Sequence, residues 1–318
     1  MLAYLQLLRL PTVFTAMADI VLGFVLTHRF IYGPFPVPMG QLDTPVGWHE
    51  PSQFFGLLIA SCCLYLSGMV FNDVFDRQQD AAERPGRPIP SGRVPLRNAT
   101  ILGVVLMLVG VASAATVSFI SLQVASLLVL TILGYDRFLK RTLLGPVAMG
   151  SCRFLNVLLG ASAQSDWASL LTQPQLGAAA GLGVFIVGVT LFARTEARTS
   201  NRWILAFAQF IMNFGLGIFV LLILTWPHPS PVAVPIAMLL VVAFTVNRRA
   251  TAAFQNPLPL TVQAAIKIML LSLVILDSTL IFWFLNTPDA AGYGAVHAMA
   301  TAFLVVPAML LSRVIPMT

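Results

Sequence analysis

Residues 71–92 read FNDVFDRQQDAAERPGRPIPSG and hold four of the chain's 12 acids: Asp73, Asp76, Asp80 and Glu83. Three arginines, Arg77, Arg84 and Arg87, stand among them, and Asn72 precedes the first aspartate. If the apolar run before this stretch continues as helix, Asp73, Asp76 and Asp80 fall at i, i+3 and i+7, on one face of a 3.6-residue helix. Three carboxylates on one face repel one another, and at a low-dielectric boundary they call for a cation. Mg²⁺ meets that demand: it is a hard ion that takes one or two carboxylates together with substrate phosphates. The guanidinium groups of Arg77 and Arg87 suit the remaining oxygens of a diphosphate, which they pair in bidentate fashion. The following RPGRPIPSG is rich in turn residues and able to fold back over such a site. An ordinary loop beside a membrane carries Lys and Arg, without three acids at helical spacing next to an asparagine.

The elements that must position these groups are apolar. Of 318 residues, 58% are hydrophobic and only 9% charged, with mean hydropathy +0.88. Soluble domains carry about 25% charged residues, so the composition reads as a polytopic membrane protein. Runs long enough to span a bilayer as helix lie near 11–28, 53–71, 99–118, 121–136, 144–163, 176–193, 203–225, 231–247, 264–285 and 294–312. The third and fourth are divided only by SFISLQ, a weak turn, so nine or ten spans are expected in one domain covering 1–318. Residues 12–28 resemble a signal peptide in length, but the absence of a small-residue cleavage site before a soluble domain makes them a first anchor.

Charge sets an orientation. With the N-terminus cytoplasmic, every Lys and Arg except Arg29, Arg153 and Lys267 falls at cytoplasmic ends and loops, as the positive-inside rule requires. An even number of spans also returns Arg313 to that side. The net charge of +6 is therefore topology, and nucleic acid is not an expected partner. Cys62, Cys63 and Cys152 form no CxxC pair, so no disulfide framework or zinc site is expected. The histidines are scattered, and His49 beside Glu50 has no third ligand near it.

NDVFDRQQD followed by RPIPSG resembles the UbiA superfamily of intramembrane prenyltransferases. The opening LRLPTVFTAMADIVLG, the tyrosine–lysine segment YDRFLKR and the fifth-span stretch CRFLNVLLG are similar to that family as well. The resemblance implies an all-α bundle of nine to ten transmembrane helices around a central cavity open to the membrane. It implies that Mg²⁺ and a prenyl diphosphate bind at Asn72, Asp73, Asp76 and Asp80, with Tyr135, Arg137 and Lys140 near the phosphates and Arg153 and Asn156 facing the cavity. It implies loss of diphosphate to give an allylic cation, attacked by a lipophilic acceptor and kept from water by the apolar walls. A membrane lipid environment delivers the isoprenoid tail, and a bacterial inner (cell) membrane with cytoplasmic site loops is the expected location.

The family's second aspartate motif, of DxxxD type near the end of the sixth span, has no match. TLFARTEARTSNRW holds one acid, Glu196, among Arg194, Arg198 and Arg202. Either these arginines bind diphosphate directly, with Glu196 as a remaining ligand or an arginine-orienting partner, or the protein binds an isoprenoid or lipid precursor without turning it over, as a transport-related member. A plain positive-inside loop also accounts for three arginines. The substitution resembles the EboC-like branch of the family. A CDP-alcohol type transferase is excluded by the lack of its D-G-x₂-A-R core.

Two further carboxylates lie mid-span, Asp19 in TAMADIVLG and Asp277 in LVILDSTLIF. A charge at bilayer depth costs about 2.5–3.5 kcal/mol on insertion scales, so such groups face a cavity or a partner. Asp19 is a candidate acceptor-orienting group or base. Lys267 stands about 15 Å from Asp277 along a helix, so a partner on another span is expected.

Overall fold

Backbone amides in lipid have no water to bond, so each apolar run must close its hydrogen bonds within itself as helix. The computed structural model describes residues 2–28, 51–164, 166–172, 174–196, 199–286, 293–313 and 315. Arg29, His49 and Glu50 and the Pro- and Gly-rich stretch around them lie outside the described residues. Among the described residues every regular element is helical.

The order is α1 (Leu2–Leu7), α2 (Val13–Thr27), α3 (Pro51–Phe75), α4 (Arg77–Glu83), α5 (Leu96–Ala115), α6 (Phe119–Gly134), α7 (Gly145–Ala161), α8 (Trp167–Leu170), α9 (Gln175–Ala193), α10 (Arg202–Thr225), α11 (Ala233–Gln255), α12 (Pro259–Leu285), α13 (Tyr293–Ala302) and α14 (Val305–Leu311). Nine segments among the described residues are long and apolar enough to cross a membrane. The fifth expected span, α7, is shorter at 17 residues, about 26 Å at the usual rise. The weak turn between the third and fourth runs is a true break. α5 ends at Ala115, and Ser118 caps α6 by accepting from the Ser121 amide at 2.9 Å. The last span is two pieces, α13 and α14, parted at Phe303–Leu304.

One apolar cluster runs from Ile20 of α2 to Ala298 of α13 and holds the bundle together. α10 and α11 instead turn Phe210, Phe214, Leu221, Leu240 and Phe244 outward, as a lipid-facing surface requires. Small residues allow the closest approach, between α2 and α7. A Cβ on Gly23 would collide with the Val157 carbonyl, and one on Gly160 would lie 2.7 Å from the Ile20 carbonyl oxygen. Backbone contact of this kind is how small residues pack membrane helices. Here it sets Asp19, one turn before Gly23, beside Arg153.

Candidate active site

α3 carries its helix into the charged stretch. It ends at Phe75, pauses at Asp76 and resumes as α4, while the Asp76 amide still bonds the Asn72 carbonyl at 3.0 Å and the Asp80 amide bonds the Asp76 carbonyl at 2.8 Å. The three aspartates therefore stay near one side of the chain, each tied to a cation. Asp73 Oδ1 accepts from Arg9 Nη2 at 2.8 Å and from Arg87 Nη1 at 3.2 Å. Arg87 Nη1 also reaches Asp80 Oδ2 at 2.7 Å. Asp76 Oδ1 pairs with Lys140 Nζ at 2.6 Å and, more loosely, with Arg141 Nη2 at 3.5 Å.

Two backbone irregularities aim the cations. Arg9 has φ 45°, a left-handed conformation that costs an L residue about 1–2 kcal/mol. Its carbonyl is held by the Thr12 amide at 3.0 Å and the Thr12 hydroxyl at 2.8 Å. This sharp turn between α1 and α2 brings the Arg9 guanidinium to Asp73. At the end of α6, residues Tyr135–Leu139 form a π turn closed by the Lys140 amide on the Tyr135 carbonyl at 3.0 Å. The wider turn places Tyr135, Asp136 and Lys140 on the cavity while Arg137 points outward, 5.6 Å from the Phe75 ring centroid.

These groups crown a cavity of about 600 Å³ between α3, α6, α7, α9 and α12. Its deeper walls are apolar, with Leu128, Ile132, Ile186, Val189, Ile266 and Leu270. The charged end holds Asp76, Asp80, Glu83, Asp136 and Glu196 against Arg9, Arg84, Arg87, Lys140, Arg141 and Arg194. Asp136 is buried and accepts from Asn72 Nδ2 at 3.0 Å. α9 has already unwound at Arg194–Glu196, which frees Glu196 to meet Arg84 Nη2 at 3.5 Å. Arg194 Nη2 donates to the Arg141 carbonyl at 3.3 Å.

The far end of the polar lining is a separate cluster deep in the bundle. Arg153 donates to Asp19 Oδ2 at 2.7 Å and to Thr15 Oγ1 at 3.0 Å. Asn156 Nδ2 donates to the same Asp19 oxygen at 2.8 Å and to the Ala16 carbonyl at 3.1 Å, and its Oδ1 accepts from Ser61 at 2.7 Å. Arg153 and Asn156 face the cavity; Asp19 lies behind them, fully buried. The Asp277 carboxyl is fully buried on α12, which packs against α2. Asp19 Oδ1 and both Asp277 oxygens meet no donor among the described residues.

Set against the sequence expectations, Asp76, Asp80, Asn72, Arg87, Tyr135, Lys140, Arg153, Asn156, Arg194 and Glu196 all line this cavity. Asp73 does not: it opens on a neighbouring hollow with Arg93 and Gln263. Arg77 is exposed and donates to the Val74 carbonyl at 3.3 Å, outside the cavity like Arg137. Asp19 supports Arg153 from behind, and the Asp277 oxygens meet no donor among the described residues. Arg198 lies outside the described residues. Sequence reasoning passed over Asp136, Arg9, Arg84, Arg141, Thr15 and Ser61. Asp136 lay inside YDRFLKR, and Arg84 inside the first charged stretch, so both were in view.

Among the described residues no three His, Cys, Asp or Glu side chains converge as a ready-made metal site. The donor chemistry nonetheless fits Mg²⁺. Carboxylate oxygens of Asp76 and Asp80 share one cavity end, and Mg²⁺ completes its shell with water and substrate phosphates instead of an all-protein cage.

An all-helical bundle of apolar spans around a cavity charged at one end and apolar along its walls defines an intramembrane protein. The model of the UbiA prenyltransferase family matches residues 35–314, and the chain belongs to that family. It is similar to the digeranylgeranylglyceryl phosphate synthases of Korarchaeum cryptofilum (36% identical, over 33% of this chain and 39% of the relative) and Metallosphaera sedula (30% identical, over 49% and 56%). The matched stretches thus cover less than two thirds of either relative. Solved structures share the fold. A UbiA homologue from Aeropyrum pernix K1 gives TM-score 0.67 at 16% identity, covering 85% of this chain and 96% of that one. A UbiA homologue from Archaeoglobus fulgidus bound to DMAPP and Mg²⁺ gives TM-score 0.55 at 11% identity, covering 98% and 99%. None of these relatives speaks to the EboC-like branch.

Proposed function

We propose that the protein is a Mg²⁺-dependent intramembrane prenyltransferase moving a prenyl group from its diphosphate to a lipophilic acceptor. One observation carries this reading: a single cavity joins a guanidinium-rich end to long apolar walls, the two halves of a prenyl diphosphate. Arg9, Arg84, Arg87 and Lys140 bind and orient the diphosphate oxygens, charge-assisted contacts that strengthen as negative charge gathers on the leaving group. Asp76 and Asp80 would hold Mg²⁺, which when bound neutralises the leaving diphosphate. Asp73 sets Arg9 and Arg87. The walls hold the isoprenoid and exclude water while the allylic carbon–oxygen bond breaks with its electron pair going to diphosphate. The acceptor then forms the new bond and gives up a proton. Arg153 and Asn156 face the acceptor's polar head.

The relatives' name makes geranylgeranyl diphosphate with a glyceryl phosphate acceptor the first pair to offer. The positive-inside pattern supports a cytoplasmic charged end. The test is prenyl transfer by membranes carrying wild type or Asp76→Ala. Wild-type turnover lost in the variant supports the reading, and equal turnover in both overturns it. A second reading, isoprenoid or lipid-precursor binding without turnover, is favoured by one feature: the only acid of the second charged segment, Glu196, is already engaged by Arg84. Tight diphosphate binding with no turnover on any acceptor would select it.

A further inference from the structure

A second hollow of about 400 Å³ lies beside the first. Arg9, Arg84 and Arg87 line both, so their side chains form the wall between the two. Arg93 lines only the second hollow, and Asp73 is the one acid in its lining. That acid is already shared by Arg9 and Arg87 through a single oxygen, Oδ1. Arg93 has neutral partners only: its Nε donates to Ser91 Oγ at 3.0 Å, Nη1 to Gln6 Oε1 at 2.9 Å, and Nη2 to the Gly86 carbonyl. No carboxylate pairs Arg93 among the described residues. Among the described residues the hollow thus presents four guanidinium groups and one carboxylate; Arg87 and Arg84 are also paired from the first cavity by Asp80 and Glu196, and Arg93 is held in place with its charge uncompensated.

The loop that builds the hollow is shaped for this. Residues 84–94 fold on themselves through the Arg87 amide on the Arg84 carbonyl and the Val94 amide on the Pro88 carbonyl, both at 3.0 Å. Gly92 makes the return at φ +72°, and a Cβ on Gly86 would meet nothing within 4 Å. Guanidinium forks at fixed positions select compact, multiply charged oxyanions by bidentate pairing. The hollow has no apolar wall of the kind that lines the first cavity, so it fits the inorganic head of the substrate and not its tail.

We propose that this second hollow is a binding site for inorganic diphosphate, receiving it across the Arg9–Arg87 wall after the prenyl group has left. The proposal rests on the prenyl-transfer reading for its biological sense, but its binding test does not need turnover. Arg93 and Gly86 line only the second hollow, and Lys140 lines only the first.

The experiment is calorimetric titration of the detergent-solubilised full chain with inorganic pyrophosphate and, separately, with geranyl thiolodiphosphate. Wild type is compared with Arg93→Gln, Gly86→Glu and Lys140→Gln, each checked for an unchanged unfolding temperature. Loss of one charge-assisted contact in Arg93→Gln, and a carboxylate added to the hollow in Gly86→Glu, each predict pyrophosphate affinity lower by about tenfold or more. Their geranyl thiolodiphosphate affinity stays within about twofold of wild type, and Lys140→Gln loses that affinity instead. Pyrophosphate binding unchanged in both Arg93→Gln and Gly86→Glu, or absent from wild type, overturns the proposal. A parallel titration in nanodiscs of phosphatidylglycerol separates free diphosphate from a lipid headgroup. Unchanged pyrophosphate affinity supports the site, and displacement by the anionic lipid overturns it. Failure of the prenyl-transfer reading would show separately, as no prenyl transfer by wild-type membranes while pyrophosphate binding at the second hollow persists.

Discussion

The cavity has carboxylate–guanidinium pairs at both ends, and they are built on opposite charge balances. At the charged end, cations outnumber acids and are partly open to solvent: Arg87 and Arg9 side chains are 17% and 18% exposed and share one Asp73 oxygen. At the deep end, one guanidinium is bonded to the fully buried Asp19, with Thr15, Asn156 and Ser61 around it, while Asp19 Oδ1 and both oxygens of the fully buried Asp277 meet no donor among the described residues. An excess of half-open cations can exchange a carboxylate for a phosphate. A buried guanidinium already bonded to a buried carboxylate cannot let go of it without leaving a buried charge. The first arrangement suits binding an anion that arrives and departs, and the second suits holding α2, α7 and α12 in register beneath it.

The comparison breaks most visibly at Arg153. Arg153→Leu leaves two carboxyls buried without their cation, and removing one partner of a buried pair costs about 3–5 kcal/mol. Thermal unfolding in detergent should show it as a large drop or as a failure to accumulate. Arg87→Gln should lower the unfolding temperature less than Arg153→Leu, because Arg9 still holds Asp73 and the site is partly open, and should weaken geranyl thiolodiphosphate by about 1.5–3 kcal/mol, the range for hydrogen bonds to charged groups, read by calorimetry. Asp277→Asn sharpens the deep end. It replaces a buried carboxyl that meets no donor with a neutral group of the same shape, so stability should hold or rise, by less than about 1–3 kcal/mol in the same assay. The smallest effect is expected at Arg141, whose side chain is 67% exposed and only 3.5 Å from Asp76 at its nearest. Arg141→Gln should shift stability by well under 1 kcal/mol.

The charged end was legible because acids at helical spacing are conspicuous in an apolar chain, and the helix does run from Phe71 through Asp73 to the pause at Asp76. The ten expected runs all became helices for the same reason: apolar length is a one-dimensional signal. Arg77 and Arg137 were harder. Arg77 follows the pause at Asp76 and Arg137 lies inside the π turn at Tyr135–Leu139, and such a break rotates the side chains there off the ideal face. Arg9 reaches Asp73 only through a left-handed residue, which no periodicity encodes. The deep cluster joins Asp19 and Arg153, 134 positions apart. That a mid-span acid needs a partner follows from membrane energetics, but which partner is decided by the Gly23–Gly160 approach of two helices.

The account turns on whether the charged end binds a prenyl diphosphate through Mg²⁺ and Asp76. The most direct measurement is calorimetric binding of geranyl thiolodiphosphate, which needs no acceptor, by wild type with Mg²⁺, wild type with EDTA, and Asp76→Ala with Mg²⁺. The prediction is saturable binding in the first case and affinity lower by about tenfold or more in the other two. Equal affinity in all three would contradict the account.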